Sequence, residues 1–194
     1  MNFGVTPITF QAFCALVETY AKTAIAPNPP TTLPDDSVFL TCAEENDFLE
    51  APSSDQFVAI WMLDFPVWVG PVSGYLGTPF GQASDGTGFD ARIKLGVFTR
   101  LQPDQELRAS QLYSDSAYGI MQLVNRCVTS FQGWTATVPL SSPTASYLRE
   151  QCRITQGPQM KTKKFVGAGK QSTAWSIVTM VFEAKFTLAF APAP

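Results

Sequence analysis

The sequence predicts an α+β domain: an antiparallel or mixed sheet of about four to five strands, two helices packed on one of its faces, and long loop insertions. Three observations predict it. Two stretches, 7–25 and 110–131, repeat apolar residues at helical spacing. The segments 57–63, 91–101 and 174–190 are continuously apolar or alternate with a period of two. The elements run helix, strand, loop, strand, helix, strand, strand, without an internal repeat, so all 194 residues read as one domain.

The first helix is expected over 7–25. Thr6 is a good cap before Pro7, and Phe10, Phe13, Cys14, Val17, Tyr20, Ala21 and Ala24 form its stripe. A proline- and threonine-rich stretch, 28–34, then leads into an acidic connection, 35–55. It carries Asp35, Asp36, Glu44, Glu45, Asp47, Glu50 and Asp55 without one basic residue, and leaves room for a short strand at 38–41.

Strand 57–63, with Val58, Ile60 and Trp61, has the composition of a strand covered on both faces and belongs near the centre of the sheet. The stretch 66–90 mixes glycine and proline with Trp68, Tyr75, Phe80 and Phe89. It reads as a long loop with two open fates: a satellite core folded back on the domain, or an arm reaching a neighbouring subunit.

In 91–101, Arg92, Lys94 and Arg100 alternate with Ile93, Leu95, Val97 and Leu101, which makes a half-buried strand. Helix 110–131 carries the clearest apolar stripe, from Leu112 to Phe131, and should close at Gly133. Strands are expected at 147–155, 161–166 and 174–190. The last exceeds the usual ten-residue ceiling, so it must bend, bulge or project beyond the sheet.

Composition narrows the function. A formal charge of −3 and a pI of about 4.9 oppose a module that grips nucleic acid by neutralising phosphates. The absence of histidine removes the commonest proton shuttle and metal ligand. Cys14, Cys42, Cys127 and Cys152 are widely spaced, so no zinc set is expected and the thiols read as free, in a reducing compartment. No apolar run is long enough to cross a bilayer and the first seven residues do not make a secretory signal, so no membrane association is expected.

Local motifs give no chemistry. A phosphate-cradling loop needs a glycine separated by four residues from a Gly-Lys pair and a hydroxyl after it; around Gly169-Lys170 those positions are Lys164 and Gln171, so 167–172 reads as a hairpin turn. Ser73 misses the spacing of a nucleophile elbow and has no histidine to activate it. The acidic run lacks the glycine pivot of a calcium loop. No catalytic, cofactor-binding or metal-ligating residue is therefore assigned.

The candidate contacts are instead surfaces. Lys161, Lys163, Lys164 and Lys170 cluster around the last hairpin. They either keep an edge strand soluble or meet the acidic residues Asp35, Asp36, Glu44, Glu45, Asp47 and Glu50 of a neighbouring copy. Opposite charge on two distinct surfaces suits a head-to-tail ring. Trp68, Tyr75, Phe80 and Phe89 are candidates for contact with a neighbour, a tube or a neck.

The order of these elements, ending in Val178-Thr179-Met180-Val181-Phe182-Glu183-Ala184-Lys185-Phe186, resembles the bacteriophage tail terminator (tail completion) family over most of the chain. The acidic segment before Phe57 and the loop up to Asp90 depart from its compact members. The resemblance implies a structural, non-enzymatic virion protein without cofactor. It implies a hexameric ring that caps the tail tube, stops its polymerisation and presents the docking surface for the neck or head. The implied partners are copies of itself, the tail tube protein, a neck or head-closure protein and, in a contractile tail, the sheath protein. DNA only passes through the lumen, and the implied location is the tail–neck junction, with assembly in the host cytoplasm. Competing readings are another neck or head-closure connector, and a small-molecule or peptide module with Trp61, Trp68 and Tyr75 around an apolar pocket.

Overall fold

The computed structural model describes residues 8–25, 37–45, 47, 55–71, 86–104, 108, 109, 111, 112, 119–136, 148, 150–166 and 172–189. Strands β1 (Val38–Leu40), β2 (Gln56–Pro71), β3 (Gly86–Leu101), β4 (Arg153–Val166) and β5 (Ser172–Ala189) make one five-stranded sheet in the order β1-β2-β3-β5-β4. The sheet is mixed, because β1 runs parallel to β2 while every other pair is antiparallel. Helices α1 (Phe10–Ile25) and α2 (Ile120–Phe131) lie together on one face, so the α+β architecture expected from the sequence is present.

Alternation along the strands sorts the side chains. Val58, Ile60, Ile93, Leu95, Val97, Met180, Phe182 and Phe186 face the helices and are fully buried. Against them α1 presents Phe13, Val17, Ala21 and Ile25, one residue per turn, and α2 presents Leu123, Val124, Cys127 and Phe131. Phe13 stacks on Phe186 with centroids 4.1 Å apart. Tyr20 joins the two helices: its hydroxyl donates to the Ser130 carbonyl at 2.5 Å and its ring stacks on Trp134 at 4.4 Å.

Helix boundaries differ from the sequence expectation where local hydrogen bonding differs. The cap of α1 is Thr9, whose Oγ1 accepts from the Ala12 N–H at 3.2 Å. Thr6 and Pro7, the expected start, lie outside the described residues. The expected helix 110–131 begins only at Ile120, because Gly119 holds an extended backbone (φ −69, ψ 135) and offers no side-chain cap. Helical residues 108, 109, 111 and 112 belong to an earlier piece tied to the end of β3, where Gln111 Oε1 accepts from the Gln102 N–H at 3.0 Å. At its far end α2 closes as expected on Gly133, which has φ 83, the left-handed conformation glycine enters without strain. Its N–H donates to the Cys152 carbonyl at 2.8 Å, and Cys152 N–H donates back to Trp134, so the helix end is sewn to the start of β4.

The strands are longer than expected. The loop predicted over 66–90 is strand at both ends, since β2 runs to Pro71 and β3 starts at Gly86. Proline and glycine misled the reading because both sit where the ladder is broken: register shifts fall between Leu63 and Val67 and between Trp68 and Pro71. A bulge on the outer strand of a pair accommodates Pro66, which lacks the N–H a regular ladder needs. Likewise only 153–155 of the strand expected at 147–155 is strand, and it runs on through 156–160 into the one expected at 161–166 to make β4, while Leu148 forms an isolated bridge to Phe186. The shifts in β4 between Ile154 and Gln159 absorb Gly157 and Pro158. Strand β5 keeps unbroken register with β3 from Leu101↔Ala174 to Gly86↔Ala189, so its length is matched by an equally long neighbour and it neither bulges against β3 nor projects beyond the sheet there.

The cysteines are all unpaired. Burial pushes the Cys127 thiol up to about 12, and burial with the nearby Glu183 carboxylate does the same to Cys152, again to about 12. Thiolate is the reactive form, so in native protein a maleimide is expected to modify exposed Cys42 first, with Cys127 and Cys152 protected until unfolding. Timed quenching and peptide mapping check this order.

Candidate interaction surface on the outer face of the sheet

The face turned away from the helices is divided. Phe57, Ala59, Trp61, Phe98, Trp175 and Ile177 form a second buried cluster there, with Phe57 and Phe98 stacked at 4.6 Å. Beyond it, the start of β4 and the facing part of β5 carry a charge ladder. Arg153 pairs with Glu183 and Glu150 at 3.3 Å each, and Lys185 reaches Glu150 at 3.1 Å.

At the edge of the buried cluster lies Trp61. Its ring rests on Gly96, where an added Cβ would come within 2.7 Å of Trp61 Cζ3. The Lys94 ammonium stands over the same ring, 4.8 Å from its centroid, an attractive cation–π position. The indole N–H donates to the Ala43 carbonyl at 2.8 Å.

That carbonyl belongs to a strap, 41–45 with Asp47, that leaves β1 and crosses the outer face. Thr41 N–H donates to Ile60 at 2.8 Å and continues the β1–β2 pairing. Further on, Glu44 N–H donates to Asp47 Oδ2 at 2.9 Å while Asp47 N–H donates to the Glu44 carbonyl at 3.1 Å, closing a small turn. Glu45 stands in that turn. Its Oε1 accepts from Lys94 Nζ at 2.9 Å, and its Oε2 accepts from Lys161 Nζ on β4. Burial alone would raise the Glu45 carboxyl, but the hydrogen bonds from Lys161 and Lys94, with their charges, outweigh it and hold the group below its ordinary range.

A carboxylate with a depressed pKa contributes stability above its unfolded value and loses it as pH falls through the folded one. Wild-type stability is therefore expected to fall below the ordinary glutamate range, and Glu45→Gln to flatten that part of the profile; urea midpoints from neutral pH into that acid range measure it. The Lys161 side chain is 50% exposed and Lys94 only 23%. Lys161→Ala should accordingly cost only ~0.2–1 kcal/mol, and Lys94→Ala more, because Lys94 also loses its place over Trp61.

The surface residues singled out by the sequence are distributed as follows. Glu45 and Lys161 meet within one chain, and Lys94, read only as a wet position, joins them. Lys163 shares the outer face, paired in register with Trp175, and lines a cleft of about 390 Å³ with Cys42, Ala43, Glu44, Glu45, Trp61 and Lys94. Lys164 borders a separate cleft with Arg100 and Arg108. Glu44 and Asp47 are exposed in the strap. Trp68 and Phe89 are register partners in the β2–β3 ladder. Asp35, Asp36, Glu50, Tyr75, Phe80 and Lys170 lie outside the described residues, as does Ser73. The pairing of Val166 with Ser172 makes 167–171 the connection of an antiparallel hairpin, as expected.

Gly96 and Lys94 escaped the sequence reading as functional positions. The available signal is a glycine within a strand, which marks close approach; Gly96 pairs with Ala59, and the ring that covers it comes diagonally from Trp61. Chemically the arrangement recognises a carboxylate. Among the described residues there is no group of three or more Cys, Asp or Glu side chains placed to hold a metal ion. Neither a family model nor a characterised protein sequence matches the chain.

Proposed function

We propose that this chain is a structural subunit of a phage tail, forming a ring that caps the tail tube, ends its polymerisation and offers the neck or head its docking surface. The observation that carries the reading is the chain order α1, β2, β3, α2, β4, β5 folded into one sheet with both helices on the same face. It is the element order on which the resemblance to tail terminators rests. The 16-residue strands β2 and β3 support it further. At ~3.3 Å per residue each spans ~50 Å, well beyond an ordinary strand, a length suited to an arm that reaches a neighbour.

Both margins of the sheet also suit subunit contacts. Strand β4 forms one margin and exposes nearly every residue from Thr155 to Thr162. On the other, β1 covers β2 only from Val58 to Ile60. Two different margins on one protomer favour head-to-tail association, which closes into a ring when the rotation permits. In this reading the partners are further copies of the chain, the tube protein and a neck or head-closure protein.

The test is capping. Purified protein is added to tube protein polymerising in vitro, and tube lengths are measured by negative-stain electron microscopy. Arrested growth with a terminal ring of density is the expected outcome. Tubes that lengthen unchanged at saturating protein, with no density at their ends, would reject the reading.

A further inference from the structure

We propose that the site holding Glu45 is exchangeable: the platform made by Lys94, Lys161 and Trp61 takes the acidic strap of a second copy in place of its own, and so links one chain to the next. This deepens the assembly reading above and rests on it.

The contacts that fix the strap are portable. The exchanged unit is β1 together with the strap, because Thr41 N–H continues the β1–β2 pairing onto Ile60; beyond that pairing the strap is held by the Ala43 carbonyl on Trp61 Nε1 and by the Glu45 carboxylate shared between Lys94 and Lys161. Its shape is set locally, because Glu44 and Asp47 close the turn on each other without help from the sheet. A segment that carries both its fold and its recognition atoms within a few residues can dock from another molecule with the same geometry.

The platform is also built for this ligand. Its two ammonium groups come from different strands, β3 and β4, and converge on one carboxylate. Gly96 lets the indole lie flat beneath Lys94, which fixes where that charge stands. Every copy carries an identical strap, so exchange requires no additional surface, the property that makes swapping an accessible route to association. At low concentration the tethered strap wins through its effective concentration. Crowding on a growing assembly favours the neighbour's.

The experiment mixes charge-reversed full-length chains. Glu45→Lys carries a strap its own platform repels, and Lys94→Glu/Lys161→Glu carries the converse defect. Each strap matches the other chain's platform. Light scattering and native mass spectrometry should find each variant monomeric alone, and a 1:1 mixture forming mixed species of at least twice the monomer mass that dissociate as salt rises. A mixture that stays monomeric while both variants melt cooperatively overturns the proposal. If Glu45→Lys does not fold, Glu45→Gln is mixed with Lys161→Glu and read the same way, since the first offers an unfilled platform and the second a repelled strap. No tube is present, so a negative result removes strap exchange alone, while the capping assay decides the wider reading.

Discussion

Phe131→Ala is expected to lower the unfolding free energy by ~3–5 kcal/mol, the cost of emptying a fully packed aromatic site. Phe131 is completely buried at the last turn of α2, where three elements meet. Its ring lies 5.4 Å from Tyr20 of α1, 5.5 Å from Trp134 after the helix and 5.4 Å from Phe182 of β5. None of these can collapse into the space freely. Tyr20 is tethered to Ser130, the main chain of Trp134 is bonded to Cys152, and Phe182 belongs to a strand paired on both sides. Urea unfolding should show a lower midpoint with an unchanged slope. The control is Thr129→Ala, two residues away and exposed, which should stay within ~0.5 kcal/mol of wild type.

The second large effect is expected on the opposite face. Gly96→Ala puts a methyl 2.7 Å from Trp61 Cζ3 and 3.0 Å from Phe98 Cε2. Phe98 cannot retreat, because Phe57 stacks against it. The indole must therefore lift, and in lifting it loses the Ala43 carbonyl and the ammonium above it. Overpacking of this kind costs ~1–3 kcal/mol. Its distinguishing mark is local: the strap should open to cleavage by a glutamate-specific protease at Glu44 and Glu45, while the helix-side core melts as a unit. Trimming the ring in Gly96→Ala/Trp61→Leu should recover much of the stability but not the strap, because leucine has no N–H to offer. A double mutant that is no more stable than Gly96→Ala alone would show that the clash lies elsewhere.

The helix-side half of the molecule was legible in the sequence because a single period governs it. The stripe ending at Phe131 and the alternation through Ile93, Leu95 and Val97 face one another as written. Proline and glycine are poor markers of element boundaries in this chain. Pro66 and Pro71 lie within β2, at or beside its register shifts and beyond the stretch that β1 covers, where a missing N–H is tolerated. The outer face was harder to read. Phe98 and Trp175 are buried on a side also occupied by Arg92, Lys94 and Arg100, so alternation of polarity could not announce a second cluster. The acidic and basic groups were recognised as complementary. That Glu45 and Lys161 meet inside one chain depends on a separation of 116 residues, which no local pattern encodes.

The irregularity at Gly157 and Pro158 also governs how the molecule behaves among strangers. An uninterrupted margin of 14 residues would be a template on which unrelated extended chains could nucleate cross-β growth. Here the row of donors and acceptors is interrupted between Ile154 and Gln159, where Pro158 has no N–H to offer, so an incoming strand can pair regularly with only one stretch at a time. Foreign chains are left with contacts too short to persist, so growth on this margin is disfavoured by a flaw in the pleat.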